Sequence, residues 1–322
     1  MDSFERFISW LVEPFVDILV EEKEEKYIDK SRIFRPLNFE EYIGQKNAKE
    51  LLKNYITGIK QRNVVFPHTL IYGIAGCGKT TLARIIAKEL NVNFISIIAS
   101  DLEESEEIIS KINETDGGIL FVDEIHSLNR EIAEKFYPLM EDFKNVKPFT
   151  LIGATTELGE ILNNRKPFVD RFKIIIELEN YSIEDLVKII CQYKNKVFAN
   201  ETIENETYKI IAENCRNTPR TAIRLIEATI YFNGNIARVL KCCNILQNGL
   251  TTKDLKVLEY IASNEKGVGL NSIAQYLDTS TQNYIYNIEP YLLQNNLITR
   301  TSRGRKITQR GYQIIKELNE IR

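Results

Sequence analysis

Five cysteines and two histidines in 322 residues are too few, and too scattered, to organise this chain around sulfur or zinc. Cys77, Cys191, Cys215, Cys242 and Cys243 contain no CxxC pair, and their odd number closes no disulfide framework. The expectation is reduced thiols in a cytoplasmic protein. No run approaches the roughly 18 consecutive apolar residues that a membrane-spanning helix needs. Met1-Asp2-Ser3-Phe4-Glu5 lacks the basic start of a secretion signal. A surplus of one charge is missing too: 42 Lys and Arg face 45 Asp and Glu, so any attraction to nucleic acid must come from a local patch.

What is present suits a globular chain of two or three domains, with 43% hydrophobic and 27% charged residues. Charge is uneven, with nine acids against four bases in residues 1–30 and ten bases against seven acids in residues 250–322. Phe4, Phe7, Ile8, Leu11, Val12, Phe15, Ile18 and Leu19 fall at three- and four-residue spacing, which predicts an amphipathic helix over 4–19, interrupted at Pro14. The acidic run EEKEEK at 21–26 follows, so residues 1–33 read as an appended helix and linker. Its acidic polar face disfavours a membrane surface and leaves the body of the protein, a neighbouring subunit or a separate partner as what it packs on.

Between 46 and 170, helical periodicity alternates with short β-branched runs. Helices are expected near 46–61, 79–90 and 103–113, and strands at HTLIYG (68–73), NFISII (93–98), GILFVDE (118–124) and FTLIGATT (149–156). This order predicts a parallel sheet with right-handed crossovers, buried on both faces, over residues 34–180. Helices at 182–197, 204–214, 219–231 and 235–246 predict a small helical domain over 181–248, ending at Gln247-Asn248-Gly249. Residues 249–322 read as three helices, two strands around TSRGRK and a closing helix, the order of a winged helix.

The strongest chemical signal is GIAGCGKTT at 73–81, which fits G-x-x-x-x-G-K-T between a strand and a helix. Gly73, Gly76 and Gly78 let backbone N–H groups converge on a phosphate at the positive end of the new helix. Lys79 is placed for the β- and γ-phosphates, Thr80 for Mg²⁺, and Thr81 for the same cradle. The second signal is ILFVDEIH at 119–126, where an apolar strand delivers Asp123 to hold Mg²⁺ and Glu124 to orient the attacking water. The alternatives are a chance glycine loop and two solvated acids. In the last segment Arg300, Arg303, Arg305, Lys306 and Arg310 surround Gly304. Such a wing suits salt-dependent phosphate contacts largely indifferent to sequence, with a solvated hairpin or a protein-binding winged helix as the alternative. The third helix, TQNYIYNIEPYLLQ, has no basic residue, which argues against base reading.

With these motifs in place the chain resembles the AAA+ ATPases and, within them, the RuvB family of Holliday-junction branch-migration motors. RPLNFEEYIGQ (35–45), FYPLMED (136–142), GATT (153–156), DRF (170–172), NTPR (217–220), EPYLLQ (289–294) and TSRGRK (301–306) carry the resemblance. It implies ATP and ADP as nucleotides, Mg²⁺, adenine contacts from Tyr42 and Ile43, and a sensor hydroxyl from Thr156 or Thr155. It also implies a nucleotide-reporting arginine at Arg220 beside Pro219, an arginine finger at Arg171 acting on a neighbouring subunit, a hexameric ring, and double-stranded or branched DNA as the partner.

The chain departs from the family in three places. Only Phe143-Lys144-Asn145-Val146-Lys147 stand where the family carries a long β-hairpin that docks its RuvA partner, so docking by that route is not expected. Val169 replaces an arginine ahead of DRF, and Ile74, Ala75 and Cys77 vary the P-loop without touching its phosphate-binding positions. The expected function is an ATP-driven DNA motor. The alternatives are a nucleotide-dependent loader and, with less support, a winged-helix regulator with a vestigial ATPase.

Overall fold

The computed structural model describes residues 35–320 except Glu103 and Glu265. The expected helix at 4–19 and its linker lie outside the described residues.

Five parallel strands form one sheet in the order β2-β3-β4-β1-β5. They are β1 (Thr69–Tyr72), β2 (Phe94–Ile98), β3 (Ile119–Asp123), β4 (Thr150–Thr155) and β5 (Ile174–Glu177). Tyr72 pairs with Thr155, Val122 with Gly153 and Ile98 with Asp123, so the P-loop, Asp123 and the two threonines emerge at one edge. β4 lies between the P-loop strand and the acidic strand, which puts its terminal hydroxyls between them.

β1, β3 and β4 are buried almost throughout, as expected. The outer strands correct the expectation of a sheet covered on both faces. β5 alternates buried and exposed residues, and β2 is half-exposed. Each has a neighbour on one side only, and helices do not cover the edge fully. β5 was not among the expected strands; its IIIE run adds an edge to β1 through Thr69↔Ile174 and Tyr72↔Glu177.

Helix α1 (Lys46–Arg62) precedes β1, α2 (Lys79–Leu90) follows it, and α3 (Ser105–Glu114), α4 (Arg130–Asp142) and α5 (Leu158–Val169) complete the α/β layer. α2 buries Leu82, Ala83, Ile85, Ile86 and Ala87. That packing fixes the helix whose first turn must face the phosphates. Phe136, Phe149, Phe168 and Phe172 join Leu120, Val122 and Leu151 in the main core. Between α4 and β4 the chain makes a tight turn, with the Val146 N–H on the Phe143 carbonyl at 3.1 Å, and no strand forms there.

α6 (Ile183–Val197), α7 (Asn205–Asn214), α8 (Pro219–Tyr231) and α9 (Ile236–Cys242) make the helical lid, starting on side-chain caps from Ser182, Thr218 and Asn235 at the first, third and fourth helices. The C-terminal unit has α10 (Thr252–Ala262), α11 (Leu270–Tyr276), α12 and α13 (Gln309–Glu320) around a hairpin of β6 (Ile298–Thr301) and β7 (Gly304–Ile307). α12 runs through Thr281–Asn283, a π-helical turn at Tyr284–Ile288, and Glu289–Gln294. Pro290 has no N–H for the helical ladder, and the helix widens just before it. This unit has its own core, including Leu255, Leu258, Ile261, Ile273, Tyr284, Leu292 and Leu297. The architecture is thus an α/β P-loop core with a helical lid and a winged helix.

Candidate functional site

The P-loop curls over Tyr72–Lys79 with Gly73, Gly76 and Gly78 all at positive φ. Two of these need glycine for space as well. A Cβ on Gly78 would stand 2.7 Å from the Tyr42 hydroxyl, and one on Gly76 would stand 2.8 Å from the Arg220 Cβ. The second distance brings the lid onto the loop: Arg220, at the start of α8, lies against Gly76 although 144 positions separate them in sequence.

Lys79 is buried, and its Nζ donates to the Gly73 carbonyl at 2.8 Å and the Ile74 carbonyl at 3.1 Å. It is folded back along the loop, where a phosphate would compete for it. The Gly73 N–H donates to the Thr155 carbonyl at 3.3 Å, which locks the loop to the end of β4. The Thr80 hydroxyl donates to Asp123 at 3.4 Å. A hydroxyl and a carboxylate meeting beside a phosphate cradle are hard oxygen ligands of the kind Mg²⁺ takes, so these residues fit the ion. Thr81 follows in the first turn of α2, half-buried.

Glu124 takes a left-handed φ of 51° and its side chain is 47% exposed at the strand end, while Asp123 accepts its N–H at 3.0 Å. Sequence reasoning missed what lies beside it. His126 Nε2 is 3.4 Å from Glu124 and 3.6 Å from Glu157, while Nδ1 is 3.1 Å from the Thr155 hydroxyl. Burial, then Glu160 and the Glu124 charge, push the Glu157 carboxyl up to about 7. The DEIH run was the available signal for His126.

The two sensor candidates separate by exposure. Thr155 is fully buried, its hydroxyl shared between His126 and the Glu157 N–H at 2.9 Å. Thr156 is exposed, one residue beyond the strand.

Tyr42 and Ile43 lie on the other side of the loop. Tyr42 is 3% exposed with its hydroxyl donating to the Gly78 carbonyl at 3.4 Å, and Ile43 is half-buried. Tyr181, not identified in the sequence, donates to the Cys77 carbonyl at 3.0 Å, and its hydroxyl lies 3.4 Å from that of Tyr42. Pro219 sits half-buried next to Arg220.

Residues 34–146 match the family described as Holliday junction DNA helicase RuvB P-loop domain, and residues 247–316 match the RuvB C-terminal winged helix domain. The branch-migration complex subunit RuvB of Mycoplasmopsis pulmonis is 36% identical, the match covering 90% of this chain and 99% of that protein. The corresponding Phytoplasma mali protein is 38% identical, with 89% and 94% covered. The chain belongs to the RuvB family. The solved Thermotoga maritima RuvB motor superposes with a TM-score of 0.79 at 35% identity, covering 88% of this chain and 98% of the other. As a RuvB-family member the chain is an AAA+ ATPase.

The contacts of Arg171 are with α4 and Pro167. It stacks on Tyr137 with Cζ 4.0 Å from the ring centroid, and it pairs with Glu141 at 2.8 Å. In the wing, two of the expected DNA-contacting arginines meet a carboxylate of their own chain. Glu289 is fully buried and takes bonds from both Arg300 and Arg305 at 2.6 to 3.2 Å. Burial works to raise the Glu289 carboxyl, but these two guanidinium groups hold it below the usual range. Arg305 is 16% exposed in this pair, and Arg300, 57% exposed, keeps an outer surface. Arg303 is exposed at the hairpin tip and Lys306 half-buried beside it. Among the described residues no helix is long and apolar enough to cross a membrane.

Proposed function

We propose that this RuvB-family ATPase is a DNA motor that drives branch migration at four-way junctions, working as a homo-hexameric ring on double-stranded or branched DNA. The observation that carries the reading is the convergence on one sheet edge of Lys79, the Thr80–Asp123 pair and Glu124, with Arg220 of the lid closing over Gly76.

In this reading Gly73, Gly76, Gly78, Lys79, Thr80 and Thr81 cradle ATP or ADP, and Tyr42, Ile43 and Pro219 flank the base. Thr80 and Asp123 hold Mg²⁺, which when bound neutralises phosphate charge. Glu124 orients water for in-line attack, Thr156 contacts the γ-phosphate, and Arg220 reports the nucleotide to the lid. Arg171 completes the site of the adjacent subunit, so charge on the γ-phosphate is stabilised only at a seam. Its contacts within its own chain, to Tyr137, Glu141 and Pro167, suit that role. Arg303, Lys306 and the outer edge of Arg300 contact DNA phosphates.

A second reading has a specific basis. The five-residue turn after α4 offers no projecting hairpin, so a RuvA-type partner has no such feature to grip. A loader that assembles another protein on DNA needs ATP binding and hydrolysis without sustained translocation. Strand displacement from a synthetic four-way junction separates the two. The motor reading expects ATP-dependent branch movement, and DNA-stimulated hydrolysis with no movement under any partner condition would overturn it.

A further inference from the structure

FYPLMED at 136–142 is the motif to which the reading above gives no work. Its helix, α4, is anchored by Phe136, Leu139 and Met140, which are buried in the core. One turn apart on its other side, Tyr137 and Glu141 both reach Arg171. The Arg171 Cζ lies 4.0 Å from the Tyr137 ring centroid, one terminal nitrogen is 2.8 Å from Glu141, and the other donates to the Pro167 carbonyl at 2.5 Å. Nε is buried with no partner, and the side chain is 21% exposed. Tyr137 is itself backed by Phe168 at 6.0 Å between centroids.

An arginine left loose on the surface would sample many rotamers and forfeit that freedom each time it met a phosphate. Here the guanidinium plane is set by stacking and its roll by a carboxylate and a carbonyl. We propose that Tyr137 and Glu141 are positioning residues for the Arg171 finger, presetting it for the γ-phosphate of the next subunit. The inference rests on the reading of Arg171 as a finger acting in trans. Guanidinium has five N–H donors, so two bonds within its own chain leave one hydrogen on each terminal nitrogen for phosphate. The Glu141 carboxylate weakens the net positive charge, so its contribution is orientation.

The test uses the full chain with ATP and duplex DNA. Glu141→Gln and Tyr137→Leu should lower kcat about tenfold while KM for ATP stays within about twofold, because a misplaced finger spoils the neighbour's chemistry and leaves the chain's own pocket intact. Tyr137→Phe, which keeps the ring, should recover the rate lost in Tyr137→Leu.

The decisive measurement mixes each variant with Lys79→Ala chains, whose fingers are intact and whose P-loops are not. Activity per intact P-loop should rise, because variant pockets then face good fingers; a packing defect in the variant's own site would not be repaired. Arg171→Ala mixed with Lys79→Ala is the control. If that control regains no activity, the trans-finger reading itself fails. If the control recovers while the Glu141→Gln mixture does not, or if Glu141→Gln and Tyr137→Leu turn over ATP at or above the wild-type rate, the positioning role is wrong.

Discussion

Arg216 of the lid forms an ion pair with Asp254 of the winged-helix unit, whose carboxylate is only 1% exposed. The same arginine donates through Nε to the Gly249 carbonyl at 2.9 Å and lies 4.7 Å from the Tyr291 ring centroid. Asp254 also caps its own helix, accepting the Thr251 N–H and hydroxyl at 2.6 Å each. Arg216 and Asn217 both adopt left-handed φ, and Thr218 then caps α8, whose second residue is Arg220. One short stretch therefore touches the winged helix at one end and the P-loop at the other.

Removing the guanidinium would leave a buried carboxylate without its cation. Arg216→Met should lower stability by about 3–5 kcal/mol, the usual cost of breaking a buried pair. Chemical denaturation reads this directly. At temperatures where the variant stays folded, hydrolysis should persist and strand displacement per ATP should drop, because lid movement no longer carries the winged helix with it. Equal coupling in wild type and variant would show that the pair is a staple only.

The wing gives an ionic-strength prediction. Each lost phosphate contact should reduce the slope of log affinity against log salt by about 1. Arg303→Ala and Lys306→Ala should each show this on duplex DNA, measured by anisotropy between 50 and 200 mM salt, over which the Debye length falls about twofold. Arg305→Met should instead lower the melting temperature, because the fully buried Glu289 would keep only Arg300. A normal melt with a reduced salt slope for Arg305→Met would reverse that assignment.

Two adjacent threonines can be told apart by what valine does to each. Thr155→Val removes the acceptor for the Glu157 N–H and the contact to His126, at about 1–2 kcal/mol for the groups left unpaired. The expected signature is a lower melting temperature. Thr156→Val touches an exposed hydroxyl and should leave the melt unchanged while hydrolysis falls at saturating ATP. The opposite pattern would make Thr155 the sensor.

Motif spacing was enough for the P-loop turn, and periodicity for the four lid helices and the order of the winged helix, because each is encoded by neighbours in sequence. What escaped is encoded at a distance. β5 needs β1 beside it before its IIIE run counts as a strand. Tyr181 reaches the P-loop from 104 residues away, and Arg305 meets Glu289 across 16. The arginine cluster of the wing carries no sign of the buried carboxylate that pairs with two of its members. The left-handed pair Arg216-Asn217 likewise has no periodic signature, although the NTPR motif beside it does.

Stability should respond to two groups of opposite sign. His68 is buried, with Nδ1 accepting the Leu151 N–H at 2.8 Å and Nε2 donating to the Met140 carbonyl at 3.0 Å, which requires a neutral ring. Burial lowers its pKa below the ordinary 6.5, with the Met140 bond opposing. The native state then binds fewer protons than the unfolded chain below pH 6.5, so this stabilisation is complete above pH 6.5 and is lost as pH falls toward the folded value. Glu157 runs the other way. With a folded pKa of about 7 against 4.5 unfolded, the native state binds the extra proton between those values, so stability falls as pH rises through that window. In nucleotide-free protein, His68→Asn should flatten the loss of stability from pH 6.5 down to 5.5, and Glu157→Gln should raise stability above pH 7 with no gain below pH 4.5. Urea midpoints at these pH values check both. A His68→Asn curve parallel to wild type would mean that protonation of His68 does not set the loss of stability in that range. A Glu157→Gln advantage that persists below pH 4.5 would mean that side-chain packing, and not charge, sets the energy of that cluster.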